Sequence, residues 1–256
     1  MNISIITIAF NSSEFIEAAI KSVVSQAGVE LEYIIVDGGS TDGSLEIIKR
    51  YAEEYSNVIY ISEPDNGIYD AINKGIRMAS GDVIGMLHSD DFMAGNDVLA
   101  HVLERFEKGG VDSVYGDLLY VSGDLNKVIR NWQSGKFVQS ELKYGWMPPH
   151  PSFFVKKSVY EMTKLDNGEY YDSSFKIAAD YDFMTRVLGP RYNISTAYLP
   201  EVLVKMRVGG VSNRNLKSII LKMREDYRVI RRNNIGGLYS LACKNLRKVS
   251  QFFVKK

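Results

Sequence analysis

Two adjacent carboxylates, Asp90 and Asp91, follow the apolar run 83–87. Neighbouring carboxylates repel each other and are costly to remove from water, so at a buried strand end a cation or hydrogen-bond donors must meet them. A hard divalent cation, Mg²⁺ or Mn²⁺, is held by one or two carboxylates while substrate phosphates complete its ligands. Such an ion would neutralise the charge that develops on a diphosphate leaving group. The alternative is a solvated loop that caps a helix starting near Asn96.

A third carboxylate, Asp37, ends the apolar run 34–36 and precedes Gly38 and Gly39. A strand-end Asp can accept a hydrogen bond from a ribose hydroxyl or a base N–H, and paired glycines let the backbone approach a ligand closely. The same Asp could equally cap a turn. The chain has neither G-x-G-x-x-G after its first strand nor G-x-x-x-x-G-K-[ST], so dinucleotide and P-loop binding lose their main support.

These residues can form one site only if strands and helices bring them to the same edge of a sheet. Short apolar runs alternate with helical patterns over residues 3–122, which is typical of an α/β fold with a doubly wound, mainly parallel sheet. The predicted strands are 3–9, 33–36, 58–61, 83–87 and 113–115, and the predicted helices are 14–26, 44–55, 69–79 and 96–107. Ligands bind outside the carboxyl ends of such strands. Asn11, "VDGGSTDG", "SEPDNG" and residues 88–91 fall there, and Asn11 is a candidate donor contact.

The pattern becomes irregular after about residue 122. We predict a helix at 179–188, a strand at 202–208 and two amphipathic helices at 216–230 and 238–253. Residues 214–256 carry 12 basic and 2 acidic residues, a net charge of +10, which leaves −10 for the rest. The predicted domain covers 1–212, with halves at 1–122 and 123–212, and a basic helical tail covers 213–256. This tail either docks on the acidic body or binds an anionic membrane surface.

Composition narrows the cellular setting. The single cysteine, Cys243, excludes a disulfide within the chain and fits a reducing compartment. No secretory leader is visible in "MNISIITIAF", and no apolar run approaches the roughly 18 residues of a membrane span. We expect a cytoplasmic protein, with peripheral contact at the inner face of the plasma membrane through the tail.

Taken together, the motifs resemble those of the family 2 glycosyltransferases, inverting enzymes with the GT-A fold. The likeness covers about residues 3–212 and is carried by "SIITIAFN", "VDGGSTDG", "EPDNGIYDAINKGIRMASGD", "LHSDD" and "AADYDFMTRV". The segment "EPDNGIYDAINKGI" is most similar to members that build bacterial surface polysaccharides. The resemblance implies that Asp37 contacts the nucleotide base, that Asp90 and Asp91 hold metal and diphosphate, and that Asp180 is the catalytic base.

Further candidates come from the same resemblance and from local chemistry. The helix at 69–79 would lie beside the donor, so Asp65 and Arg77 are candidate nucleotide-sugar contacts, although Arg77 could equally belong to a solvated face. Arg207 either reaches the diphosphate as a bidentate donor or forms a structural ion pair. Two prolines stiffen the loop of His150, which is either an acceptor or diphosphate contact or an ordinary surface histidine.

The sequence departs from the family pattern at two positions. Many members have Asp or Asn where this chain has His88, so the number of metal ligands is open. Many also have Glu where this chain has Ala179. The Q-x-x-R-W signature of processive synthases is absent, which favours transfer of one sugar per encounter over polymerisation.

The helix at 179–188 offers two carboxylates, Asp180 and Asp182. Its apolar residues define a buried face, and Asp180 stands three and four residues before two of them, on that inward side. Asp182 stands four residues before Arg186, where we expect a surface ion pair. An inward carboxylate at a helix N-terminus suits a base, since the helix dipole favours negative charge there. We therefore predict Asp180 as the base and only a minor role for Asp182.

The predicted reaction is inverting transfer of a sugar from a nucleotide-sugar, with a UDP-sugar as the first candidate, assisted by Mg²⁺ or Mn²⁺. The nucleotide-sugar is predicted to bind the half at 1–122. The predicted acceptor, a glycan or a lipid-linked molecule, would bind the half at 123–212, which we call the acceptor-side half. Nucleic acid is not an expected partner, and a homodimer is an open alternative. The rival hypotheses are a sugar nucleotidyltransferase, which should carry an Arg- and Lys-containing glycine-rich loop after the first strand, and a non-catalytic nucleotide-sugar-binding scaffold.

Overall fold

The computed structural model describes residues 1–208 and 216–250. Its strands are β1 (Asn2–Ala9), β2 (Glu30–Asp37), β3 (Val58–Ser62), β4 (Val83–Met86), β5 (Phe92–Met93), β6 (Ser113–Val121), β7 (Val128–Trp132), β8 (Phe153–Lys156) and β9 (Thr196–Arg207). Its α-helices are α1 (Ile16–Val24), α2 (Ser44–Glu54), α3 (Ile68–Met78), α4 (Val98–Gly109), α5 (Lys157–Met162), α6 (Ala179–Leu188), α7 (Leu216–Arg232) and α8 (Leu238–Ser250). Short 3-10 helices occupy Gln139–Tyr144 and His150–Ser152.

The strands of this part of the chain form one sheet in the order β3-β2-β1-β4-β8-β6-β9-β5, with β7 beside β6. The first four positions are parallel, as predicted. β8 then runs antiparallel to both β4 and β6, and β6 and β9 return to parallel pairing. β5 and β7 add short antiparallel pairs at the far side. The carboxyl ends of β1 to β4 therefore share one edge.

Helices cover both faces of the sheet, which confirms the doubly wound prediction. Side chains alternate along β1, so Ile5 packs in the core with α1, α2 and α4 whereas Ile6 packs in the opposite core with α3. Gly75 allows α3 to lie close to β1, because a Cβ there would come within 2.4 Å of Ile6 Cγ2. The α/β fold predicted from the sequence is thus confirmed.

Predicted and observed bounds differ most in the second half. The helix predicted at 179–188 is α6 itself, but β6 continues to Val121 and β9 begins at Thr196, six residues before the predicted strand. The sequence analysis missed β5, β7, β8 and α5. β5 has two residues and β8 four, too few for an alternating pattern to be recognised.

The two C-terminal helices pack against the acceptor-side half. α7 lies against α6, and α8 lies against the 3-10 helix Gln139–Tyr144. Gly145, at φ +77°, permits this approach, since a Cβ there would stand 2.3 Å from Lys244 Cα. The docked alternative for the predicted tail is therefore observed over residues 216–250. None of the helices in the described segments is both long and apolar enough to span a membrane.

Candidate active site

The loops after β1, β2 and β3 meet at the carboxyl ends of these strands. Asp37 at the end of β2 is fully buried. Its carboxylate accepts hydrogen bonds from the backbone N–H groups of Gly39 and Ser40 and from the hydroxyls of Ser40 and Ser62, at 2.5–3.2 Å. Three of these donors reach Oδ2 and one reaches Oδ1, so Oδ1 can still accept a further hydrogen bond. The structure therefore shows Asp37 capping the turn, and its contact with a nucleobase stays a prediction.

Asn11 and Asp65 lie beside this turn. The Asn11 side chain accepts the backbone N–H of Thr41 at 2.9 Å, which joins the loop after β1 to the loop after β2. Asp65 Oδ2 lies so close to Gly38 that a Cβ at that glycine would come within 2.5 Å of it. The fold thus brings Asn11, Asp37 and Asp65 to one edge, which leaves their contact with a donor as a prediction.

The sequence analysis missed Phe10 at the same edge. This residue follows β1, and its ring is 63% exposed. A Cβ at Gly38 would lie 3.3 Å from Phe10 Cδ2, so the ring stands directly beside the Asp37 turn. An exposed aromatic face next to hydrogen-bonding groups can stack on a nucleobase. Its signal in the sequence is an aromatic residue between an apolar strand and Asn11.

Asp91 is the most unusual carboxylate of this edge. It is fully buried, and neither of its oxygens has a hydrogen-bond partner among the described residues. Burial, reinforced by the neighbouring Asp90, raises its pKa well above the ordinary range. A buried carboxylate in this state requires a proton or a cation. Asp91 together with the partly exposed Asp90 therefore fits a divalent cation.

The described residues alone do not complete the ligands of such a cation. No group of three or more His, Cys, Asp or Glu side chains in residues 1–208 and 216–250 is arranged to hold a metal. His88, at the position where many family members have a carboxylate, does not extend the Asp90–Asp91 pair into such a group. Diphosphate oxygens would have to supply the remaining ligands, as Mg²⁺ sites commonly use.

Arg207 contacts the loop that carries Asp90 and Asp91. Its guanidinium donates to the backbone carbonyl of Asp90 at 2.9 Å and lies over the rings of Phe15 and Phe92, 5.1 and 5.4 Å from their centroids. The structural ion pair is therefore wrong: the partner is a backbone oxygen. The side chain is almost fully buried, and its Nε has no hydrogen-bond partner among the described residues. Arg207 fixes the backbone that carries the acidic pair, and its contact with diphosphate stays a prediction.

His150 connects the acidic loop with the acceptor-side half. Its ring lies 6.0 Å from the ring of His88, and its Nε2 is 2.9 Å from the hydroxyl of Tyr171. Burial lowers the pKa of His150 to about 4, although the Asp180 carboxylate acts in the opposite direction. His150 is therefore neutral near pH 7. The surface-histidine interpretation is wrong because this side chain is buried.

The α6 helix is buried all round. Every residue of α6 except Asp180 is buried, and Asp180 at its second position is partly exposed. An inward position therefore does not distinguish Asp180 from Asp182. What distinguishes Asp180 is that it alone of this helix reaches solvent, next to His150. The first turn of the helix favours a negative charge there.

The expectation of a surface ion pair at Asp182 is wrong. Asp182 is fully buried and pairs with buried Arg186, with Oδ2 3.0 Å from Nε. Its Oδ1 accepts a hydrogen bond from Asn233 at 3.0 Å, just after α7. Removing one partner of a buried pair typically costs about 3–5 kcal/mol of stability. Asp182→Asn is therefore a structural substitution and not a neutral control.

A second residue that the sequence analysis missed is Glu225 on α7. The residue at the N-cap position of α6, Ala178, has no side chain that could cap the helix. The Glu225 carboxylate takes this place and accepts the backbone N–H groups of Lys176, Ile177 and Ala178 at 2.8–3.0 Å. The start of the helix that presents Asp180 is thus held by α7.

Arg77 is not part of this constellation. It stands in the last turn of α3, at the end that leads back to the amino end of β4. Its guanidinium pairs with Glu169 at 2.8 Å, and about half of its side chain is exposed. The structure therefore places Arg77 away from the edge that gathers Asn11, Asp37 and Asp65.

The geometry agrees with what comparisons with known proteins show. The family model described as glycosyl transferase family 2 matches residues 4–175. The chain belongs to this family. An uncharacterised glycosyltransferase of Mycobacterium tuberculosis is 35% identical over 72% of this chain and 68% of its own length. The PGL/p-HBAD biosynthesis glycosyltransferase of Mycobacterium bovis is 28% identical over 86% of this chain and 82% of its own.

Solved structures support the fold of this family 2 glycosyltransferase. TarS residues 1–349 of Staphylococcus aureus, in complex with UDP-GlcNAc, matches with a TM-score of 0.65 at 18% identity over 91% of this chain and 65% of that one. The mannosyltransferase PcManGT of Pyrobaculum calidifontis, in complex with GDP-Man and Mn²⁺, matches with a TM-score of 0.66 at 17% identity over 100% of this chain and 76% of that one. At these identities the likeness establishes the fold, and the chain spans about two thirds of the TarS fragment.

Proposed function

We propose that this family 2 glycosyltransferase moves one sugar from a nucleotide-sugar to an acceptor hydroxyl with inversion, in the assembly of bacterial surface polysaccharide. The observation that carries the proposal is the contact between His88 and His150. It joins the loop of Asp90 and Asp91 to the surroundings of Asp180. A group suited to diphosphate and a group suited to proton removal thus lie in one region. A UDP-sugar is the first donor to test, because TarS was solved with UDP-GlcNAc, and a GDP-sugar is the second.

Each step of the reaction has a candidate residue. The nucleotide would lie across the ends of β1 to β3, with its base near Phe10 and the Asp37 turn. Asp180 would accept the proton of the acceptor hydroxyl while that oxygen bonds to the anomeric carbon. The bond from this carbon to the diphosphate oxygen breaks on the opposite face, so the configuration inverts. General-base assistance of this kind contributes about 10²–10⁴-fold.

A divalent cation at Asp90 and Asp91 would neutralise the charge that appears on the diphosphate. The support for this cation is the buried Asp91 carboxylate, whose oxygens lack hydrogen-bond partners in the described structure. His150 would act as a neutral hydrogen-bonding group toward the acceptor or the diphosphate, because its low pKa leaves it uncharged near pH 7.

The test is a donor screen on the full chain. UDP-, GDP- and dTDP-sugars are added with Mn²⁺ or with EDTA, and both thermal stabilisation and release of nucleoside diphosphate are measured. We expect one donor to stabilise the protein and to release its diphosphate only when metal is present. Asp91→Asn should abolish the metal-dependent stabilisation, whereas the exposed Asp166→Asn should retain it.

The rivals give different products. A nucleotidyltransferase would release pyrophosphate from a nucleoside triphosphate and a sugar phosphate, and a scaffold would bind a donor without releasing anything. Diphosphate release that is unchanged by EDTA and by Asp91→Asn would show that the metal assignment is wrong.

A further inference from the structure

The outer side of the α7–α8 pair is unusually apolar for a surface. On α7 the exposed apolar side chains include Ile220, at 59% exposure, and on α8 Leu238, Tyr239 and Leu246 are about 70% exposed. The complete set is Ile219, Ile220, Leu221, Met223, Tyr227, Leu238, Tyr239 and Leu246. We call this set, with the exposed basic residues between its members, the helix-pair face. A concentration of exposed apolar side chains on two neighbouring helices is typical of an interaction site.

The charges of the helix-pair face are all of one sign. Within residues 217–247 the acidic residues are Glu225 and Asp226, and both are buried against the body. Glu225 caps α6, and Asp226 accepts from Lys244 at 2.6 Å. The exposed charged residues of this segment are Lys217, Arg224, Arg228, Arg231 and Arg232. Of these, Arg228 and Arg232 turn toward Asp172 of the body, which leaves Lys217, Arg224 and Arg231 for the outer side. Every negative charge of the pair is thus turned inward, and the outer side carries positive charge.

Basic and apolar residues share one stripe of α7. Lys217, Ile220, Arg224, Tyr227 and Arg231 follow each other at spacings of three and four, which places them on the same side of a helix. Long Arg and Lys side chains beside apolar ones can reach lipid phosphates while the apolar side chains enter the bilayer boundary.

We propose that the helix-pair face docks on the surface of an anionic lipid bilayer. The occupant follows from charge: an anionic surface attracts Lys217, Arg224 and Arg231, which share the outer stripe of α7. A second copy of the chain fits less well. A two-fold dimer through this face would set the same basic residues against each other.

Docking in this way leaves the active site next to the membrane. The inner side of α7 contacts α6, so a bilayer on the outer side lies about one helix diameter, roughly 10 Å, from the helix that carries Asp180. This placement suits an acceptor carried by a lipid, an extension that rests on the proposed function. The docking itself does not depend on that function.

The experiment is sedimentation of the full chain with phosphatidylcholine vesicles that do or do not contain phosphatidylglycerol, at low and high salt. We expect binding only to phosphatidylglycerol vesicles, and weaker binding at high salt. Arg224→Gln with Arg231→Gln should weaken binding about 30-fold. Leu238→Ser with Leu246→Ser should weaken it at least tenfold, because apolar area no longer enters the bilayer.

Matched controls change the same residue types elsewhere. Lys49→Gln with Lys127→Gln removes two exposed charges, and Val128→Ser removes an exposed apolar side chain of β7. Both should bind vesicles like the parent. Donor-induced thermal stabilisation without vesicles, which should be the same in all variants, tests the fold and the proposed function separately. The proposal is overturned if phosphatidylglycerol vesicles do not bind the chain, if the helix-pair variants bind like the controls, or if these variants dissociate a dimer in analytical ultracentrifugation.

Discussion

The Asp37 turn and the α6 helix place their functional carboxylates by opposite means. Asp37 is held mainly by its immediate successors in the chain, Gly39 and Ser40. The start of α6 is held by Glu225, whose partners lie 47 to 49 residues earlier. A turn whose hydrogen-bond donors lie two and three residues further along the chain is defined by a short sequence motif. A helix start that is capped by a distant residue depends on the completed fold. The position of Asp180, the proposed base, should therefore be more sensitive to distant substitutions than that of Asp37.

The largest expected effect comes from removing the base itself. Asp180→Asn keeps the size of the side chain but cannot accept a proton, so transfer should fall by about 10²–10⁴-fold. Donor binding, measured as thermal stabilisation with Mn²⁺, should be unchanged because the strand-end loops are untouched. The exposed Asp166→Asn is the control. A folded Asp180→Asn protein with near-parent turnover would remove Asp180 from the mechanism.

Removing the Glu225 carboxylate that caps α6 tests the comparison directly. Glu225→Ala leaves three backbone N–H groups at the start of α6 without an acceptor, which should cost about 1–3 kcal/mol of unfolding free energy. Below its melting temperature the variant should show a lower kcat with an unchanged KM for the donor, since the donor loops do not contact α7. Glu225→Gln should recover part of the loss because its amide oxygen still accepts.

The control for this variant is the exposed Glu53→Ala on α2. A Glu225→Ala protein that melts lower but turns over like the parent would reduce Glu225 to a purely structural residue.

His150 lies between the loop of Asp90 and Asp91 and the start of α6, and it makes the stability of the protein depend on pH. Its pKa is about 4 in the folded protein and 6.5 in the unfolded chain, so between these values the unfolded state binds more protons. Stability should therefore fall as the pH is lowered, by about 2 kcal/mol from this residue at pH 5. Urea unfolding at pH 7 and pH 5 measures the effect, and His150→Gln should reduce the difference. An identical difference in the variant would assign the acid sensitivity to other groups.

The smallest expected effect lies at the turn. Phe10→Ala removes an exposed ring, so thermal stability without ligand should hardly change. Loss of one base-stacking contact, worth about 1–3 kcal/mol, should weaken donor binding about fivefold or more. Isothermal titration with the donor measures it, and Phe10→Tyr should retain affinity. Equal donor affinities of Phe10→Ala and the parent would show that the nucleobase binds elsewhere.

The same contrast explains what the sequence could and could not predict. Asn11 and Asp37 were predicted from their positions after apolar runs and Asp65 from the family resemblance, and the structure brings the three together. Asp182 was misjudged because spacing rules assume that a helix has a solvent side, and α6 has almost none. Glu225 could not be found, because no local pattern connects a residue on α7 with the backbone of residues 176–178. Arg77 was misplaced because a position on the donor-side helix does not say at which end of the sheet it stands.

The distance along the chain between α6 and its cap, Glu225, also has a consequence for biosynthesis. The hydrogen-bond donors of the Asp37 turn belong to the same part of the chain as β1 to β4. These strands and their helices can therefore assemble during translation, because N-terminal parts of a chain fold first. α6 leaves the ribosome without a cap, and Glu225 follows only after dozens of further residues. At about 5–20 residues per second this delay lasts on the order of seconds. During translation the edge that carries the Asp37 turn can form before the start of α6 is fixed. If the proposed roles hold, a nascent chain would bind its nucleotide-sugar before it could transfer the sugar.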